Sequence, residues 1–112
     1  MAKLETEIVN SDFSRVLAEI ENGILKRSMS ASLEDGSDFR NDRVRCSVRV
    51  FERYSMAGSN RVSLTVTLLD AGDGVIHVSG ITSGGSQALF FKINTIGEES
   101  FLDELESILR SF

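Results

Sequence analysis

Arginine is the residue type whose placement in this chain most suggests chemistry. The segment from position 40 to 61 holds six of the twelve cationic side chains. A guanidinium group presents a planar fork of donors that binds a carboxylate or a phosphate through two parallel hydrogen bonds. Strand alternation predicts that four of the six share one side with Phe51, whose ring, if exposed, could stack on a base. The six are Arg40, Arg43, Arg45, Arg49, Arg53 and Arg61, and the four on the side of Phe51 are Arg43, Arg45, Arg49 and Arg53.

Two interpretations of this arginine-rich stretch stay open. In the first, the four arginines and Phe51 form an open sheet face with Arg61 of the next strand, and this face binds an anionic ligand or a protein partner. In the second, the arginines only keep a sheet face in contact with water, and they pair with glutamates across the sheet or on a neighbouring subunit.

A second candidate is the glycine-rich segment formed by Ser83, Gly84, Gly85 and Ser86. Successive backbone N–H groups in such a segment can converge on an anion. The segment lacks the lysine and the following helix of a phosphate-binding P-loop. The alternative is a turn or bulge between two strands, because glycine-rich tetrapeptides commonly occur there.

Catalytic and metal-binding chemistry has little support in the sequence. His77 is the only histidine and Cys46 the only cysteine. A zinc site needs several such ligands at suitable spacing, and serine catalysis needs a histidine beside an activated serine. We therefore predict no catalytic residue, no metal site and no cofactor. An enzyme would need a pocket that joins His77 to Ser83, Ser86 or Asp70.

Length and composition limit the class of protein. A chain of 112 residues fits one domain, covering 1–112. The formal net charge of -5 disfavours nucleic acid as a partner, because such binding depends on neutralising phosphates. One cysteine gives no internal disulfide, and no apolar run approaches the roughly 20 residues of a membrane span. We expect a cytoplasmic protein that does not enter membranes.

Alternating apolar and polar residues predict a series of strands that would carry these candidates. In the strand that starts at Val44, the apolar side chains are expected to face the core, with the arginines outside and Cys46 as an inert buried thiol. The polar segment 35–42 is expected to be a loop with Phe39 as a hydrophobic plug. The predicted strands are Ala2–Val9, 28–34, 44–50, 61–68, 75–82 and 88–93, with turns at 56–60 and 70–74.

Two segments have apolar residues at helical spacing. The first begins at Phe13, after residues that can cap a helix, and ends at Gly23 or at Arg27; the apolar position of Ile24 favours Arg27. The second follows Thr95 and Glu98, whose spacing is that of a capping box. The order β-α-β-β-β-β-β-α predicts an α+β fold, in which an antiparallel sheet of five to six strands carries both helices on one face.

Beyond these patterns, the chain contains the strings SMSASLEDGSDF, VRCSVRVFERYSM, NRVSLTVTLL and ITSGGSQALFFKINTIGEESFLDEL. They resemble a family of small, uncharacterised bacterial proteins that is found mainly in Gram-positive bacteria. The resemblance covers the chain from about Ile24 onward. It implies a bacterial domain of unknown function and supplies no activity, substrate or catalytic residue.

Together these features predict a small non-catalytic binding or protein-interaction module that uses an open arginine-rich sheet face. The expected partner is another protein or a second copy of the chain. The alternative is a carrier of a small ligand, with a mostly apolar cavity between the sheet and the C-terminal helix. Such a cavity would be lined by Met29, Phe90, Phe91 and Phe101.

Overall fold

The computed structural model describes residues 1–55, 60–84 and 91–112. Five strands and two helices follow one another along the chain, and the predicted α+β fold is confirmed. The elements are β1 (Ala2–Val9), α1 (Phe13–Arg27), β2 (Ser32–Asn41), β3 (Val44–Ser55), β4 (Asn60–Asp70), β5 (Val75–Gly84) and α2 (Phe91–Leu109).

The five strands form one antiparallel sheet in the order β1-β5-β4-β3-β2. Strands β2 to β5 are joined in sequence as neighbours, and β1 pairs with β5 at the far edge. Helix α1 must therefore carry the chain from the β1 edge to the β2 edge, across one face of the sheet. We call the face that packs against α1 and α2 the covered face and the opposite one the uncovered face.

The core lies between the covered face and the two helices. Every second residue of β4 is fully buried, as the alternation predicts, and the buried residues of both helices belong to the same apolar cluster. Burial of each large aliphatic side chain contributes about 1.5–3 kcal/mol, so this cluster is the main source of stability. The fully buried β4 residues are Val62, Leu64, Val66 and Leu68.

Helix α1 begins where the sequence provides a cap. The Asp12 carboxylate accepts a hydrogen bond from the Arg15 N–H at 2.9 Å, which satisfies one of the exposed amides of the first turn. The apolar stripe of α1 runs through the buried residues Ile20 and Ile24. It therefore extends past Gly23, and the helix ends at Arg27. The longer of the two predicted helices is confirmed.

Strand β2 includes residues 35–41 of the loop predicted at 35–42, so that prediction is wrong for these residues. The segment pairs with β3 from Ser32 opposite Glu52 to Asn41 opposite Val44, with an irregularity between Leu33 and Asp35. An edge strand of this kind has little buried surface, and its polar sequence therefore does not prevent pairing. Phe39 is 63% exposed on this strand and plugs nothing.

Helix α2 begins earlier than the sequence predicts. The predicted strand at 88–93 is wrong for residues 91–93, which are helical, while 88–90 lie outside the described residues. Thr95 and Glu98 lie inside the helix and do not form its N-terminal cap. A short apolar run such as the one before Asn94 fits both a strand and a buried helix, so periodicity alone could not separate them.

Candidate functional site

The arginines of β3 lie on the covered face, beneath the helices. The register with β4 places Arg49 opposite Val66 and Arg53 opposite Val62, which are both fully buried. Phe51, between them, has no exposed surface. The prediction that Arg45, Arg49, Phe51 and Arg53 form an open face is therefore wrong in orientation.

Arg49 holds α1 against the β2–β3 hairpin. Its Nε donates to Glu21 of α1 at 3.0 Å, and its Nη2 donates to Asp38 of β2 at 3.0 Å. Its Nη1 donates to the Val48 carbonyl at 2.9 Å. Burial alone would lower the pKa of Arg49, but the hydrogen bonds that Arg49 donates to Glu21 and Asp38 outweigh it and raise the pKa. The charged Arg49 guanidinium thus links α1, β2 and β3 to one another.

Asp38 is the acidic partner in this network. The Ser47 hydroxyl donates to its carboxylate at 2.6 Å, next to the Arg49 contact. The hydrogen bond from Ser47 is the largest cause of a lowered pKa of Asp38, and the hydrogen bond from Arg49 is the next. Asp38 and Arg49 therefore stabilise each other's charged form.

Arg53 links β3 to α2, as Arg49 links β3 to α1. Its Nη1 lies 3.1 Å from a Glu104 carboxylate oxygen, and its guanidinium carbon lies 4.4 Å from the centre of the Phe101 ring. It also donates to the Gly97 carbonyl and to the Ser28 hydroxyl, both at 3.3 Å. With 11% of its side chain exposed, Arg53 belongs to the packed interior.

The predicted partner face consisted of Arg61, Phe51 and four arginines near β3. Of these six residues, Arg61 is the one that the described part of the structure places on the uncovered face. Its Nε lies 2.6 Å from Glu52, its Nη2 lies 3.7 Å from Glu34, and its guanidinium carbon lies 5.3 Å from the Tyr54 ring centre. Two carboxylates thus already accompany its charge. Ligand binding by Arg61 stays a prediction.

The uncovered face carries an apolar patch where the sequence predicts arginines. Phe39, Cys46 and Leu69 lie side by side on β2, β3 and β4, because the register pairs Phe39 with Cys46 and Cys46 with Leu69. Phe39 is 63% and Leu69 37% exposed, and Cys46 is half-buried rather than inert in the core. We define the apolar patch as Phe39, Val44, Cys46, Val48, Val50 and Leu69.

One signal in the sequence could have identified the patch. Val48 and Phe51 cannot both face the core, because they lie three positions apart on one strand. The larger Phe51 ring lies on the core side of the strand. Because alternate residues of a strand share one side, Arg49 and Arg53 lie on that side too. Their aliphatic stems fill the space beneath the helices, while their charged ends reach carboxylates at the rim.

The other half of the uncovered face is polar. Glu5 and Glu7 of β1 and His77 of β5 line a shallow groove there with Thr67 and Leu69. The His77 ring nitrogen Nδ1 lies 3.8 Å from the Glu7 carboxylate, and both side chains are largely exposed. The groove does not bring His77 together with Ser83 or Asp70, which an enzyme built on His77 would need.

A separate group of arginines occupies one end of the sheet. Arg40 is the residue before the last of β2, Arg43 lies in the turn that follows, and Arg45 is directly opposite Arg40 on β3. They line one cleft with the start of α1 and the turn between β4 and β5. We call Arg40, Arg43 and Arg45 the arginine cluster. Arg43 and Arg45 were in the predicted partner face; Arg40 was not.

The glycine-rich segment is only partly described. Ser83 and Gly84 end β5, and the Ser83 carbonyl accepts a hydrogen bond from the Ser63 hydroxyl at 3.2 Å. Gly85 and Ser86 lie outside the described residues. Anion binding by this segment stays a prediction.

Two of the residues expected to line a ligand cavity, Met29 and Phe101, do not come together; the side chains of Phe90 and Phe91 lie outside the described part of the structure. Phe101 is fully buried in the core, whereas the Met29 side chain is fully exposed in the turn after α1. A groove does run between β1 and the end of α2, lined by Leu4, Ile8, Leu109 and Phe112, and it opens to solvent.

No group of three or more histidine, cysteine, aspartate or glutamate side chains among the described residues is arranged to hold a metal ion. Within the same residues, neither helix combines the length and the apolar character that crossing a membrane requires.

The fold and the surface define a class: an α+β domain with a five-stranded sheet, helices on one face and a partly apolar open face. The chain belongs to DUF6054, a family of unknown function whose model matches residues 1–112. The resemblance found in the sequence is thus confirmed at the level of an uncharacterised domain family. No curated protein matches the chain.

Proposed function

We propose that this protein is a non-catalytic protein-interaction module that pairs with a second copy of itself through the apolar patch. The observation that carries the proposal is the uncovered row of Phe39, Cys46 and Leu69 on three adjacent strands. Adjacent exposed apolar side chains on a small domain commonly mark a contact with another protein.

The order of residues within the rows is self-complementary. A twofold axis that runs along β3, between two facing sheets, places β2 of one copy over β4 of the other. Phe39 then faces Leu69 of the second copy, and Cys46 faces its own equivalent. In the next row Val48 faces its equivalent and Ser37 faces Thr67, so apolar groups meet apolar groups and hydroxyl groups meet hydroxyl groups.

The same axis keeps the acidic side chains of β1 away from the second copy, and it places Glu52 of β3, which is paired with Arg61, opposite its own equivalent. Strand β1 is three strands away from β3 in the sheet, and it therefore extends past the β2 edge of the second copy. Glu5 and Glu7 stay in water, where they need no partner. An axis through β4 would instead place Glu7 over Phe39, which would bury a carboxylate against an aromatic ring.

The expected contact is small because only three strands of each sheet overlap. Interfaces well below the standard size are usually transient, and we expect a dissociation constant of about 10⁻⁴ M. Association should therefore depend on concentration in the range that sedimentation can follow.

Sedimentation velocity tests the proposal. Between about 5 µM and 1 mM, the weight-average mass should rise from the monomer value of 12.3 kDa toward twice that value. Phe39→Lys puts a charge into the patch and should keep the protein monomeric. Met29→Lys, which changes a fully exposed side chain elsewhere, is the matched control and should associate like the wild type. A wild type that stays monomeric at every concentration would overturn the proposal.

A small-ligand carrier is the second candidate, and the groove between β1 and the end of α2 supports it. Leu4, Leu109 and Phe112 give this groove an apolar wall. Saturable binding of one medium-chain fatty acid per chain, unaffected by Phe39→Lys, would favour the carrier over the interaction module.

A further inference from the structure

We infer that the arginine cluster binds a phosphate group, in the cleft between the β2–β3 turn and the start of α1. This site lies at one end of the sheet and does not depend on the apolar patch. Its three guanidinium groups come from the end of one strand, a turn and the next strand, and they converge without a long loop.

The pairing of Arg40 with Arg45 is the first observation in favour. Like charges directly opposite each other on neighbouring antiparallel strands repel, and such pairs are destabilising. An anion between the two guanidinium groups would turn this repulsion into two attractive contacts. Asp70, opposite Arg45 on its other side, could relieve only part of the repulsion.

Two of the three carboxylates that line the cleft accept hydrogen bonds from nearby backbone N–H groups. Asp12 accepts the Arg15 N–H at 2.9 Å, and Asp70 accepts the Gly72 N–H at 2.8 Å. Asp38 is bound by Ser47 and Arg49. Among the described residues, no carboxylate oxygen lies within 4.0 Å of a nitrogen of the arginine cluster. Arg49, Arg53, Arg61 and Arg110, by contrast, each have such a partner.

Two of the three arginines are held in place by the fold. The Arg45 Nη1 donates to the Ser14 hydroxyl at 2.8 Å, and its guanidinium carbon lies 4.4 Å from the centre of the Phe13 ring. The stem of Arg43 packs on the β4–β5 turn, where a Cβ added to Gly72 would come within 2.8 Å of the Arg43 Cβ. Side chains ordered in advance lose less entropy when a ligand binds.

The number of donor forks favours phosphate over carboxylate. A carboxylate has two oxygens in one plane and is satisfied by a single guanidinium fork. A phosphate dianion has three or more oxygens in a tetrahedral arrangement and can accept from all three arginines. Asp42 also lines the cleft and opposes anion binding, so the three guanidinium groups must outweigh its charge.

The test is a titration of the full chain with inorganic phosphate, followed by amide chemical shifts in NMR spectra at constant ionic strength. We expect saturable shifts at the amides of Ser14, Gly72 and Gly74 in the millimolar range. The double variant Arg40→Gln/Arg43→Gln should weaken phosphate binding by about tenfold or more, because it removes two of the three charged donors. Both side chains are exposed, so this variant should keep the fold.

Arg61→Gln is the matched control, because it removes one exposed arginine at the opposite end of the sheet, about 30 Å from Arg45 along β3. It should leave phosphate binding within about twofold of the wild type, because charges so far apart are screened by salt. A second titration with O-phosphoserine separates two sources of the group: tighter binding assigns a phosphomonoester, and equal or weaker binding assigns free phosphate. Unsaturable shifts, or equal loss in both variants, would overturn the inference.

Discussion

At the scale of single residues, Arg53 shows how a charged side chain can belong to the interior of a small domain. Its guanidinium carbon lies 4.4 Å from the Phe101 ring centre, and its Nη1 lies 3.1 Å from Glu104. Both groups are mostly buried, so the arrangement is sensitive to the loss of either one. The long side chain bridges β3 and α2 where a shorter residue would leave a gap.

We predict that Arg53→Ala lowers the free energy of unfolding by about 2–3 kcal/mol. The variant leaves Glu104 without its cation and removes the guanidinium that packs on the Phe101 ring. Arg61→Ala is the matched control and should cost less than about 1 kcal/mol, because its ion pairs are exposed. Chemical denaturation of both variants checks the difference, and equal effects would contradict an interior role for Arg53.

Asp38 should make stability depend on pH. A carboxyl group whose pKa is lowered in the fold stabilises the folded state above its ordinary value of 3.8 and loses this contribution as the pH falls through the lowered pKa. Asp38→Asn should therefore cost about 0.5 kcal/mol near neutral pH and almost nothing near about pH 2. Urea unfolding at several pH values measures this difference, and a gap that persists in acid would contradict the assignment.

The orientation of β3 is the residue-scale feature that the sequence did not settle. Four apolar residues at 44–50 compete for the core with one phenylalanine and three arginines. The alternation itself was right, but its phase depends on which set packs under the helices. A buried Arg49 needs Glu21 and Asp38 beside it, and this proximity arises only from the tertiary structure.

At the scale of elements, Gly80 sets the distance between β5 and α2. A Cβ on Gly80 would come within 2.5 Å of the Leu105 Cδ2 and 3.2 Å of the Leu102 Cδ1. Leu105 is fully buried and cannot move away freely. The glycine therefore allows the helix to pack closely on the sheet, as a glycine inside a strand can indicate.

We predict that Gly80→Val destabilises the protein by about 1–3 kcal/mol, because it pushes α2 away from the sheet. Ser79→Val, on the uncovered face next to it, is the control and should change stability by no more than about 0.5 kcal/mol. Thermal and chemical unfolding measure both effects. A neutral Gly80→Val would show that the space above Gly80 is not limiting.

The regular elements were predictable to different degrees. β1, α1 and β4 have strong periodicity and one clear buried side, so their positions and faces follow from the sequence. β2 was predicted only in part, because an edge strand exposed on both faces needs no apolar alternation. The predicted start of α2 was wrong, because the helix begins in a short apolar run of a kind that also occurs in strands.

At the scale of the whole molecule, the strands β3 and β4 are longer than the helices that cover them. The described residues extend 47 Å along their longest axis, whereas the 15 residues of α1 reach only about 22 Å. One face of the sheet and the end that carries the arginine cluster therefore stay accessible. The two proposed contacts, the apolar patch and the phosphate site, occupy these separate surfaces.

Cross-linking through Cys46 with a short bismaleimide tests the central claim, that two copies pair through the apolar patch. Cys46 is the only cysteine and lies in the middle of the patch, so the proposed twofold axis brings two of these thiols to facing positions across sheets that pack about 10 Å apart. We predict covalent dimers whose yield rises with protein concentration and falls to background in Phe39→Lys. A yield that is the same in both proteins would contradict the pairing.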